Sequence, residues 1–91
     1  MSEYVKYQKD PDSLLDYTVN WSAFLGTDII VGSIWEVPVD LTVESENFAD
    51  DSATIWLSGG LLGNVYKITN RITTDNGRVD DRSFHLQIEE Q

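Results

Sequence analysis

The sequence predicts an all-β protein, an immunoglobulin-like β-sandwich of six to seven antiparallel strands preceded by an extended N-terminal arm. Three observations lead there. Apolar and polar residues alternate in short stretches from Leu15 onward, Gly, Asn, Asp and Pro interrupt those stretches about every ten residues, and no amphipathic helical pattern exceeds one turn. The 91 residues suffice for one core and not for two. A hydrophobic fraction of 41%, including three Trp, four Tyr and three Phe, supplies enough bulky side chains to offset the entropy of ordering the chain.

Residues 1–13 lack a clean period and end in Asp10-Pro11-Asp12-Ser13, where proline removes a backbone donor and biases its predecessor away from helix. This is the expected arm, followed by a turn, with the sandwich over 14–91. Leu15, Tyr17, Val19 and Trp21 then share one parity, opposite Asp16, Thr18 and Asn20, as in a half-buried strand. Ser22 to Gly26 breaks the alternation and reads as a single helical turn with a glycine stop, tucking Phe24 or Leu25 under the sandwich edge. Between Asp28 and Val37, Ile30 and Trp35 have opposite parity, so both turn inward only if Gly32 marks a bulge.

Pro38 ends that strand, Leu41-Thr42-Val43 gives a short one, and Glu44 to Ser52 is expected as an acidic loop. Ala53, Ile55 and Leu57 alternate with Thr54 and Trp56 up to the stop at Ser58-Gly59-Gly60. Tyr66, Ile68, Asn70 and Ile72 share one face of the next strand, opposite Val65, Lys67, Thr69, Arg71 and Thr73, and its leading tyrosine suits the corner where a Tyr hydroxyl satisfies nearby backbone. Asp75-Asn76-Gly77 signals a tight hairpin, and Phe84, Leu86 and Ile88 return on the last strand.

Composition narrows the function. With no cysteine, disulfides, thiolate nucleophiles and thiolate metal sites are excluded. The N-terminus carries no apolar signal core, and no apolar run reaches membrane-spanning length, so a product of the cytoplasm is expected. A net charge of −10 without a basic cluster argues against nucleic acid and anionic lipid as partners. The charge is uneven. Residues 1–62 hold 11 acids and 2 bases, whereas 63–91 hold 5 acids and 4 bases, an asymmetry able to steer association between copies or partners.

No catalytic constellation emerges. His85 is the sole histidine, faces outward by parity, and has no nucleophile motif beside it. The doublets Asp50-Asp51, Asp80-Asp81 and Glu89-Glu90 would point to opposite sides of a strand, which does not preset a carboxylate pair. Glu44, Glu46, Asp50 and Asp51 carry oxygen ligands of the kind calcium uses, without the spacing of a calcium loop. No phosphate-binding glycine loop is present, and no catalytic residue, cofactor or metal is expected. Trp35 and Trp21 read as core, whereas Trp56 shares parity with Thr54 and Ser58 and is a candidate interface anchor. Arg71, Arg78 and Arg82 lie near Asp75, Asp80 and Asp81, where surface pairing competes with an intersubunit role.

Three early segments, Lys9-Asp10-Pro11-Asp12-Ser13-Leu14-Leu15-Asp16-Tyr17, Asn20-Trp21-Ser22 to Phe24-Leu25, and Trp35-Glu36-Val37-Pro38 with Leu41-Thr42-Val43, resemble the phage fiber-tail adaptor family. So do Thr54 to Gly60, Tyr66 to Thr74 and Gly77 to Phe84, extending the likeness over residues 9 to 88. Phe24, where tryptophan is expected, and Asn20, where aspartate is commoner, depart from the pattern. The resemblance implies a non-enzymatic component of the phage tail, made in the host cytoplasm, present in multiple copies and joined to tail, neck or fiber proteins. Candidate interface residues are then Tyr4 and Tyr7 of the arm, Trp56, Arg71, Arg78 and Arg82. A carbohydrate-binding sandwich, with Trp56 as a sugar platform, is the alternative.

Overall fold

The computed structural model describes residues 6–90, so Tyr4 lies outside the described residues. Seven strands form two sheets: β1 (Lys6–Lys9), β7 (Val79–Ile88), β6 (Val65–Thr74) and β3 (Ile30–Glu36) in that order, and β2 (Leu14–Asn20), β5 (Ser52–Gly59) and β4 (Leu41–Phe48) in the other. A single helical turn, α1 (Ser22–Leu25), follows β2. The arrangement is an immunoglobulin-like sandwich, in which the first strand pairs with the last.

The alternating pattern becomes the core. Ile55, Leu57, Ile68, Leu86 and Ile88 are fully buried between the sheets, with Tyr17, Leu41, Tyr66 and Phe84 around them. A second cluster of Trp21, Leu25, Ile30 and Ile72 closes one end. Its centre is Trp21, whose Nε1 donates to Asn70 Oδ1 at 2.9 Å while Asn70 Nδ2 donates to Ser33 Oγ and the Ile34 carbonyl. A buried amide and a buried indole thus satisfy each other, as apolar surroundings require. Trp35, expected in the core, is half-buried and packs against it edge-on to Phe84.

Several expectations meet their physical reason here. Gly32 does mark a bulge: Ile30 pairs with Thr74 and Gly32 with Thr73, leaving Val31 as the extra residue. Tyr66 forms the expected corner, its hydroxyl accepting from the Leu61 amide at 3.0 Å and from Asn64, and donating to Asp40 at 3.0 Å. Gly60, with φ 100°, packs so tightly that an added Cβ would fall 2.7 Å from Ile88 Cδ1. In the Asp75–Arg78 hairpin only Gly77 takes positive φ, at 88°, so the turn needs one left-handed residue and not two.

Other parts differ from expectation. The arm is not free from residue 6 onward, because Lys6–Lys9 pairs with β7, and it does so in parallel rather than antiparallel fashion. Lys9 is fully buried and its Nζ donates to the carbonyls of Asp10 and Gly59, each at 2.8 Å. Burial draws its pKa below the usual lysine value, with Asp10 and Asp12 acting in the opposite sense. The acidic loop also shrinks. After a bulge between Val43 and Ser45, β4 continues to Phe48 along β5, leaving 49–51 as the connection. Its side chains beyond Leu41 are exposed on both faces, so no two-residue period marks it.

Candidate docking surfaces

The outer face of the three-stranded sheet presents Leu14, Asp16, Thr18 and Asn20 from β2, Ser52, Thr54, Trp56 and Ser58 from β5, and Thr42, Ser45 and Asn47 from β4. Trp56 lies at its centre, on the middle strand, with Asp16 directly across on β2 and Ser45 directly across on β4. The residue is 37% exposed although Ala53, Ile55 and Leu57, its opposite-parity neighbours, are fully buried. Hydroxyls surround it. Thr18 and Thr54 share a 2.9 Å hydrogen bond, and Ser58 Oγ donates to Glu44 Oε2 at 2.6 Å, fixing that carboxylate on the outer face. An apolar ring flanked by two carboxylates suits a partner that brings both apolar surface and positive charge. It does not form a sugar platform of two coplanar rings among the described residues, because the strands of this sheet place no other aromatic side chain on this face.

The three arginines are engaged within the chain. Arg71 and Asp81 are cross-strand partners joined in a fork, at 2.7 and 3.0 Å. The carboxylate holds the guanidinium above its ordinary pKa and is itself held below the usual carboxylate range. Arg78 reaches across the chain to Asp28 at 3.1 Å, to the carbonyls of Phe24 and Leu25, and over the Phe24 ring at 4.5 Å. Asp28 is buried and also accepts from the amides of Ile29 and Asn76. These bonds, led by the one from Thr74, lower its pKa. Arg82 covers the Trp21 ring at 4.5 Å and donates to the Asn20 carbonyl. Of the acids expected beside these arginines, only Asp81 is a partner; Asp28, some fifty residues away in sequence, takes the place of Asp75 and Asp80.

Tyr7 turns toward the sandwich interior at its open edge. Its ring lies 5.2 Å from Tyr17 and 5.4 Å from Phe84, and 39% of the residue is exposed. Beneath it, the buried Tyr17 hydroxyl has no hydrogen-bond partner among the described residues, and burial pushes its pKa up to about 12, so the phenol stays neutral. His85, read as outward, is half-buried opposite Lys6 on β1 and Lys67 on β6. Among the described residues no group of acids and histidine is arranged to hold a metal ion, and no helix is long and apolar enough to cross a membrane.

What sequence reasoning missed beside Trp56 are Asp16 and Glu44. The place of Asp16 follows from strand register and that of Glu44 from the β4 bulge and its bond from Ser58, and the only signal was the shared parity of Asp16 with the outward set. Comparison with known proteins then gives two findings. The model of the family described as podophage GP4 fiber-tail adaptor protein gp77 matches residues 9–87. The solution structure of the PKD domain from KIAA 1837 protein is similar in fold, with a TM-score of 0.56 at 18% identity, covering 99% of this chain and 81% of that one. No curated protein matches the chain in sequence.

Proposed function

We propose that this chain, which belongs to the podophage GP4 fiber-tail adaptor protein family, joins the tail or neck of a phage particle to its fiber proteins as a non-enzymatic part of the virion. The observation that carries this reading is the outward Trp56, held on the middle strand of a hydroxyl-lined face that also bears Asp16 and Glu44. A rigid sandwich transmits force and position, and an exposed anchor on a central strand gives a neighbour something to grip. The N-terminal segment is the second contact. It enters the sheet at Lys6 along β7, and Tyr7 stays partly open at the sandwich edge.

Complementation tests the proposal. Phage lacking this gene are supplied with the Trp56→Ala chain, or with one truncated before Lys6, and particles are scored for fiber protein. The expected result is tails that lack fibers or fail to join. Fully fibered, infective particles from both variants would refute the docking role.

A further inference from the structure

The basic residues of this chain are segregated in space. All six lie on the four-stranded sheet or its hairpin turn: Lys6 and Lys9 on β1, Lys67 and Arg71 on β6, Arg78 in the turn, and Arg82 on β7. The strands of that sheet hold five bases against three acids, Glu36, Asp80 and Asp81. The strands of the three-stranded sheet hold Asp16, Glu44 and Glu46 and no base at all. The sandwich is therefore polar across its thickness.

Two rows on opposite outer faces match in span. On the four-stranded sheet, Lys6, His85 and Lys67 are direct cross-strand neighbours on three adjacent strands. On the three-stranded sheet, Asp16, Trp56 and Ser45 are likewise neighbours on three adjacent strands, with Glu44 next to Ser45 and turned outward by Ser58. With strands about 4.8 Å apart, the end members of either row are about 10 Å apart. Lys6 and Lys67 are also the bases that no hydrogen bond or ion pair occupies among the described residues, whereas Lys9 and the three arginines are engaged. The carboxylates sharing their face are Glu36 and Asp81, and Asp81 is committed to Arg71.

We infer that copies of this chain stack front to back, the Lys6–His85–Lys67 row of one seated on the Asp16–Trp56–Glu44 surface of the next. This rests on the docking role given to the Trp56 face and names what covers it. One lysine meets Asp16 at one end of the row and the other meets the β4 end, where Glu44 lies beside Ser45, while the central imidazole lies on the indole. Because the two surfaces differ, the contact is heterologous: it repeats from copy to copy, closing a ring if the rotation permits and otherwise running open.

Sedimentation of the full chain at low and high salt tests this. The wild type is expected to associate with rising concentration at low salt and to lose about tenfold or more in affinity at high salt. Two variants each remove one surface: Lys6→Gln with Lys67→Gln, and Asp16→Asn with Trp56→Ala. Alone, each stays monomeric; mixed, they form a dimer that stops at two chains, since one intact surface of each kind remains. Circular dichroism melts confirm that both fold. A wild type that stays monomeric at low salt, or variants that associate as well as it does, would overturn the inference. The adaptor reading would then still stand or fall separately, by fiber attachment in Trp56→Ala particles.

Discussion

The two ring systems that contain a fully buried and an exposed tryptophan show how differently the same residue type is used. Trp21 is enclosed by α1, β3 and β6, hydrogen-bonded to Asn70, edged by Phe24 and roofed by the Arg82 guanidinium. Its indole N–H and the Asn70 amide that receives it both have internal partners, so the region is structural. Trp56 sits on the middle strand of a sheet, with Asp16 and Ser45 across from it on the flanking strands, and leaves over a third of its surface uncovered. On the proposed function, this exposed ring is what a partner grips.

Truncating each tryptophan separates the two regions most sharply. Trp21→Ala opens a cavity and strands Asn70 Oδ1, and it is expected to lower unfolding free energy by about 3–5 kcal/mol in denaturant titration. A loss below about 1 kcal/mol would show that this end repacks freely. Tyr66→Phe removes the hydroxyl that joins Leu61, Asn64 and Asp40. It is expected to cost about 1–2 kcal/mol in the same assay, with faster amide exchange at Leu61.

A smaller effect depends on pH. Asp28 has a folded pKa below its unfolded value, so its contribution is complete above the unfolded pKa and is lost as pH falls through the folded one. Thermal melts of wild type and Asp28→Asn are therefore expected to differ at neutral pH and to converge as pH falls below about 4. A gap that persists unchanged in acid would show that the carboxylate charge is not what ties Ile29, Asn76 and Arg78 together. The smallest expected effect is that of Trp56→Ala, a change within about 0.5 kcal/mol in unfolding free energy. A large loss would place Trp56 in the structural group and dissolve the contrast.

The central strands were legible in the sequence because each has one wet and one dry face. β5, β6 and the second half of β7, from Ser83, write that division into alternation, and the glycine bulge in β3 was readable as a break in parity. The edges were not. β4 is solvated on both faces beyond Leu41, so nothing periodic distinguishes it from a loop. β1 is held by parallel pairing to the far end of the chain, which leaves no local trace in a four-residue strand. The outward placement of Trp56 followed from parity alone, but its neighbours did not. Asp16, Ser45 and Glu44 reach it only through the register of three strands, and Arg78 meets Asp28 only because the hairpin turn folds over α1. Side chains are legible when local periodicity orients them and illegible when their partners depend on long-range pairing.

The most direct measurement is a cryo-electron microscopy reconstruction of the intact tail at side-chain resolution. The account predicts that Trp56, Asp16 and Glu44 are covered by a neighbouring chain while Trp21 keeps its internal partners unchanged. A particle in which the Trp56 face looks onto solvent in every copy, with all contacts made elsewhere on the sandwich, would contradict it.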